Sequence, residues 1–257
     1  MTPEIRVLAN AASLAHAAAE EVVRIANEAV AARGKFMLAL AGGSTPKALY
    51  SLLAGDSHLH VAMPWTKTHF FWGDERHVVP DSAESNFRMA NETMLAHVPV
   101  PHEHIHRVRS EEPHAARAAE EYERTLRTVF GGEAMPRFDL ILLGMGADGH
   151  TASLFPNTSA LLEKQRWVMA NWVPKLNTWR VTFTAPLINN AANVLFLVAG
   201  ADKARPLHAV LKGPRQPEVF PSQLVQPAAG RLLWLVDVAA GQSVAPQQIG
   251  GESPVRF

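Results

Sequence analysis

The sequence predicts an α/β protein with a Rossmann-like three-layer fold, a mainly parallel sheet held between helices. Three observations lead there. Short, continuously apolar runs recur along the chain, each closed by glycine or a charged turn. Segments with apolar residues at helical spacing alternate with those runs. The glycine-rich and charged segments fall directly after the runs. Strands apolar on both faces belong to parallel sheets covered on both sides, and ligands of such sheets bind beyond the carboxyl ends of the strands.

The elements follow in order. Leu14, Ala18, Val22, Ile25 and Ala29 give a helix over about Asn10 to Arg33, with Gly34 as its stop. Phe36 to Ala41 reads as a buried strand ending in Gly42-Gly43. Thr45 and Pro46 suit an N-cap and a first helical residue, before Leu49, Leu52 and Leu53. Thr68 to Trp72 is a strand, and Ser85 to His97 and Ala115 to Val129 are helices. Phe138 to Leu143 is the clearest strand, closed by Gly144; Asn193 to Ala199 and Arg231 to Val236 complete the set. The Pro-rich stretch Pro206 to Pro227 reads as an ordered surface excursion rather than a boundary. Residues 1–257 are therefore expected to form a single domain.

Composition removes several function classes. The 257 residues contain no cysteine, which excludes disulfides, thiolate metal sites and a cysteine nucleophile. Lys+Arg 24 against Asp+Glu 24 leaves no net cation excess for coating nucleic acid. No apolar stretch approaches the roughly 20 residues of a bilayer span, and Met1 to Arg6 lacks the pattern of a signal peptide. A cytoplasmic protein with no membrane or nucleic-acid partner is expected, a monomer, with a weak homodimer as the alternative.

Three loops carry the chemistry. Gly42-Gly43-Ser44-Thr45-Pro46 lies at a strand-to-helix junction, where free N–H groups and the positive end of the helix dipole attract phosphate; a tight turn with an ordinary cap is the plainer alternative. It lacks the spacing of a Walker P-loop. Gly73-Asp74-Glu75-Arg76-His77 leaves a buried strand with three charges, which either face solvent or serve a site. Gly144, Gly146 and Gly149 match a dinucleotide fingerprint with Glu163 downstream, but Pro156 follows too soon for the long helix that fingerprint needs. What remains there is Asp148 beside His150, a carboxylate able to orient a general base; a histidine merely contacting a helix start is the alternative. Arg180, opening the alternating run to Thr184, and Lys203, after Gly200, are cations that reach a phosphate from strand ends or stay on the surface. His102, His104 and His106 alternate, but without a carboxylate cluster or zinc-like spacing, and are read as surface residues rather than a metal site.

Together these segments resemble the 6-phosphogluconolactonase family. The resemblance rests on Ala41 to Pro46, Trp72 to Arg76 and Gly144 to Pro156, with Val173-Pro174-Lys175, Arg180-Val181-Thr182, the Asn189 region and Gly200 to Ala204 in support. It spans about residues 36 to 240. Ala41 stands where serine is common, and Leu176-Asn177-Thr178 replaces a Pro-rich stretch. The resemblance implies the fold of glucosamine-6-phosphate deaminase, ribose-5-phosphate isomerase and CoA-transferases. It implies hydrolysis of 6-phospho-D-glucono-1,5-lactone to 6-phosphogluconate, a carboxylic ester hydrolase step of the oxidative pentose phosphate pathway, with no cofactor or metal. His150 would be the base, Asp148 its orienter and Arg76 a contact to oxyanion or phosphate. Gly43, Ser44, Thr45, Asp74, Arg180 and Lys203 would bind the sugar phosphate. A deaminase or isomerase of the same fold is the nearest rival, but it carries Asp-Glu-Tyr where this chain has Asp74-Glu75-Arg76, and Asn-Glu-Pro where it has Leu154-Phe155-Pro156. A sugar-phosphate sensor without turnover is a rival of another class.

Overall fold

Each apolar run read from the sequence becomes a strand of one sheet. A computed structural model describes residues 3–132 and 134–244; the ends of the 1–257 span, with Met1 and Thr2 of the leader reading, lie outside them. The chain runs β1 (Glu4–Leu8), α1 (Ala11–Arg33), β2 (Phe36–Leu40), α2 (Ser44–Gly55), α3 (Ser57–Ala62), β3 (Thr68–Trp72), β4 (Asp74–Arg76) and α4 (Asn86–Thr93). It continues through α5 (Ala115–Phe130), β5 (Leu140–Gly144), β6 (Val168–Val173), β7 (Thr178–Phe183), α6 (Ala185–Asn189), β8 (Asn193–Val198), α7 (Ala204–Lys212), β9 (Arg231–Asp237) and α8 (Val238–Gly241).

The main sheet has the order β1-β9-β8-β5-β2-β3, and every pairing in it is parallel. β2 is buried along its whole length, as its unbroken apolar run requires. The helices α1, α2 and α3 pack on one another, and α1 also packs on β9. A second sheet, β4-β7-β6, is antiparallel and packs against α5. Its junction with the main sheet is aromatic: Phe183 of β7 meets Phe138 and Tyr122 at ring-centroid distances of 5.2 and 6.0 Å. One continuous apolar cluster runs from Leu14 to Val244.

Several expectations are corrected. The predicted helix Ser85 to His97 is two pieces, because Met94 (φ −140°, ψ −60°) leaves helical space between α4 and a 3₁₀ turn, Leu95–His97. Ser85 is the cap, accepting from the Arg88 N–H at 3.1 Å. The Pro206 to Pro227 excursion begins inside α7, and its Pro221–Leu224 turn buries Ser222 and Gln223. Arg180 lies within β7 of the antiparallel sheet, not at the end of a parallel strand. The elements without a counterpart in the sequence reading include the edge strand β1, the three-residue β4, the hairpin strand β6 and the short helices α3, α6 and α8. Among the described residues no helix is long and apolar enough to cross a membrane.

Candidate active site

Four loops leave the carboxyl ends of β2, β3, β5 and β8 and enclose a cavity of about 260 Å³. Gly43, Ser44, Thr45, Asp74, Arg76, His150 and Lys203 line it; Asp148 and Arg180 do not. Two strand ends are held by tyrosine. The Tyr50 hydroxyl donates to the Ala41 carbonyl (2.8 Å) and accepts from the Ala41 N–H (2.9 Å), and Tyr122 makes the same pair with Trp72, at 3.2 and 2.8 Å. Loops that begin at fixed backbone hold their side chains at fixed positions.

In the first loop the N-cap is Gly43, not Thr45, so α2 starts at Ser44. Gly43 has φ +108°, which favours glycine. The earlier start places Ser44, Thr45 and Pro46 in the first turn, where N–H groups have no helical acceptor. Both the Ser44 and Thr45 N–H groups and their hydroxyls are therefore available to an anion at the positive end of a 12-residue helix.

The second loop divides its three charges between structure and site. Glu75 is 1% exposed and caps α4: its carboxylate accepts from the N–H groups of Asn86 (2.8 Å) and Phe87 (2.7 Å) and from the Ser85 hydroxyl (3.2 Å). Burial pushes its carboxyl up, and the N–H groups of Asn86, Phe87 and Arg76 pull against the rise. Asp74 faces the cavity and accepts from the Ser153 hydroxyl at 2.7 Å. Arg76 also faces it, tethered by donation to the Glu84 carbonyl at 2.7 Å. Asn86 lines the cavity too and donates to the Asp74 carbonyl at 2.9 Å.

The third loop carries a connected chain of polar groups. His150 Nδ1 lies 2.5 Å from Asp148 Oδ1, and Lys175 Nζ donates to Asp148 Oδ2 at 2.9 Å. Burial alone would raise the Asp148 carboxyl, but hydrogen bonds from His150 and Lys175 outweigh it and hold it well below the usual carboxylate range. An ionised Asp148 accepts the Nδ1 proton and leaves the Nε2 lone pair of a neutral His150 available. The ring stacks on Phe155 with centroids 3.9 Å apart and planes 20° from parallel. A Cβ on Gly146 would overlap this imidazole, so glycine there is a steric requirement. After Gly149 the chain forms a short bridge, Thr151 to Leu154, rather than a helix, which removes the dinucleotide alternative.

Lys203 closes a 3₁₀ turn, Ala201–Lys203, and pairs with Asp202 at 2.9 Å. Arg180 stands opposite Arg76 in the β4–β7 register and is 8% exposed. His104 and His106 are half-buried rather than fully exposed. His69 stacks between them at centroid distances of 3.8 and 5.4 Å, and only His102 is exposed. Among the described residues no group of three or more His, Asp or Glu side chains is arranged to hold a metal ion.

The family described as glucosamine-6-phosphate isomerases/6-phosphogluconolactonase matches residues 9–234. The chain belongs to this family. It is 43% identical over 248 residues to a 6-phosphogluconolactonase from Synechocystis sp., covering 96% of this chain and 100% of the relative. It resembles the solved 6-phosphogluconolactonase from Trypanosoma cruzi with a TM-score of 0.85 at 32% identity, covering 96% of this chain and 99% of that one. A monomeric glucosamine-6-phosphate deaminase, 19% identical with a TM-score of 0.78 over 93% of this chain and 99% of its own, shares the fold. The departure from the glucosamine-6-phosphate isomerase/6-phosphogluconolactonase pattern at Leu176-Asn177-Thr178 has a structural meaning. Asn177 takes a left-handed conformation (φ +49°) at the tip of the β6–β7 hairpin, and the 3₁₀ turn before it carries Lys175 to Asp148.

Proposed function

We propose that the protein hydrolyses 6-phospho-D-glucono-1,5-lactone to 6-phosphogluconate. The observation that carries this reading is the Asp148–His150 pair, with His150 on the wall of a cavity that a helix start and Lys203 also line. A lactone carbonyl is already electrophilic, so the site needs a base, a stabiliser for the oxyanion and a grip on the phosphate. His150 Nε2 takes a proton from water as the oxygen attacks C1. The charge that develops on the carbonyl oxygen is met by Arg76. As the C1–O5 bond breaks, the imidazolium returns the proton to the departing ring oxygen, and the acid product ionises in water. Asp148 holds the imidazole in one tautomer and supports its transient positive charge.

The phosphate is assigned to Gly43, Ser44, Thr45 and Lys203, with Arg180 behind Arg76 adding positive potential. Asp74, fixed by Ser153, suits a sugar hydroxyl. The chemistry assigned to these residues uses no cofactor or metal. The continuous core from Leu14 to Val244 supports the single-domain reading. Lys203 and Arg76 in one cavity favour a phosphorylated small molecule over nucleic acid. The test is turnover of freshly generated lactone, corrected for its spontaneous hydrolysis. Binding of 6-phosphogluconate without acceleration would establish a sensor and overturn the hydrolase.

A further inference from the structure

His150 is held from behind by a segment far away in sequence. The Gly149 carbonyl accepts two hydrogen bonds from one residue, the Ser222 N–H at 2.9 Å and the Ser222 hydroxyl at 2.8 Å. Ser222 is 1% exposed. The same peptide unit is tied at its other end, where the His150 N–H donates to Asp148 Oδ1 at 3.3 Å. Gly149 has φ +75°, and a Cβ there would lie 2.8 Å from the Phe220 ring, so the segment also packs flat against the turn.

That segment is itself anchored. The Gln223 side chain donates to the carbonyls of Ala209 (3.1 Å) and Pro214 (2.9 Å) and accepts from the Gln216 N–H at 2.6 Å. Ala209 belongs to α7, the helix that begins directly after Lys203. Gln223 and Ser222 thus join the helix behind the phosphate cation to the peptide that carries the base. The catalytic step assigned above uses none of these contacts.

We propose that Ser222 is a positioning residue for lactone hydrolysis: it fixes the Gly149–His150 peptide plane and so sets the angle at which His150 Nε2 meets the cavity. The role rests on the lactonase reading of His150. General-base transfer is steep in geometry, whereas the phosphate grip comes from other loops. A loosened peptide therefore lowers turnover and leaves affinity intact.

Ser222→Ala keeps the backbone donor and removes the hydroxyl. Its kcat is expected to fall about 10-fold, with KM and 6-phosphogluconate affinity within about two-fold of the parent. Ser222→Thr, which retains the hydroxyl, should recover most of that loss. Gln223→Leu, which frees the anchor but leaves Ser222, should fall on the same kcat-only axis and serves if the alanine variant does not fold. Circular dichroism establishes folding of each. A kcat for Ser222→Ala within about two-fold of the parent overturns the role, and so does a loss shared equally by KM or left unrepaired by threonine. The parent chain and His150→Ala separate the two levels. No turnover by the parent above the spontaneous rate sinks the lactonase reading and this role with it. Parent turnover lost in His150→Ala but untouched in Ser222→Ala sinks the positioning role alone.

Discussion

Arg76 and Arg180 stand directly opposite one another on antiparallel strands, and the Nε of each guanidinium is buried without a hydrogen-bond acceptor among the described residues. Burial, and then the neighbouring Arg76 charge, make Arg180 give up its proton more readily than an ordinary arginine; Asp74, Glu84 and Glu75 compensate only in part. Two adjoining cations with spare donors form a site that gains from an anion. Lys203→Ala should weaken 6-phosphogluconate binding by about 1.5–3 kcal/mol, and Arg180→Met, at a residue that does not line the cavity, by less, both read by calorimetry. Unchanged affinity in both variants would remove them from the phosphate grip.

His150→Ala should lower lactone turnover by about 10²–10⁴ while product affinity stays near that of the parent. The expectation follows from His150 facing the cavity with Asp148 behind it. Initial rates corrected for spontaneous opening measure it. A variant keeping half of its activity would mean that another group activates the water.

Lys175→Ala should bring the Asp148 carboxyl back up toward the ordinary carboxylate range. Lys175 donates to Asp148 Oδ2 across 2.9 Å and is one of the two side chains whose hydrogen bonds hold that carboxyl down. A carboxyl-carbon NMR titration of parent and variant measures it. An unchanged Asp148 titration would show that the exposed lysine is screened by solvent.

The His104–His69–His106 stack should make the protein acid-sensitive. Burial first, and neighbouring imidazoles second, lower His69 and His106 to about 4. Unfolded histidine titrates near 6.5, so the unfolded chain binds these protons first. The stability contribution is full above about pH 6.5 and is lost as pH falls toward about 4. Urea midpoints at about pH 7 and about pH 5 should differ less in His106→Phe than in the parent. Equal pH dependence in both proteins would remove His106 from this effect.

The sequence made the main sheet legible where strands are apolar on both faces, as in Phe36–Leu40 and Asn193–Val198. It was silent on Glu4–Leu8, an edge strand paired on one side only, whose alternating charges stay near solvent. Asp74–Arg76 escaped notice because three charged residues do not read as a strand until Val181 and Thr182 are seen beside them. The site loops were readable for a geometric reason, since parallel strands deliver their following residues to one end of the sheet. The contacts that tune the site were not. Lys175 meets Asp148 across 27 residues and Ser222 meets Gly149 across 73, and neither stretch carries a local pattern that announces its partner. Phe155 lay within a recognised segment, but its stacking on the imidazole requires the bend at Thr151 to Leu154.

The sequence contains only two tyrosines, Tyr50 and Tyr122, and both are spent on holding strand ends. Each phenol is fully enclosed, and burial pushes its ionisation far above that of a free tyrosine. A phenolate in either place would lose the proton that it donates to a backbone carbonyl and set a bare charge in the core. In alkali the two phenols can ionise only as the chain opens, so stability begins to fall once pH exceeds the unfolded value of about 10. Phenolate absorbance becomes an optical reporter that is dark while the strand ends are in register and bright once they separate. In an alkaline titration it should rise in step with loss of ellipticity, both phenols together, and phenolate appearing while ellipticity is intact would show that the clamps open locally.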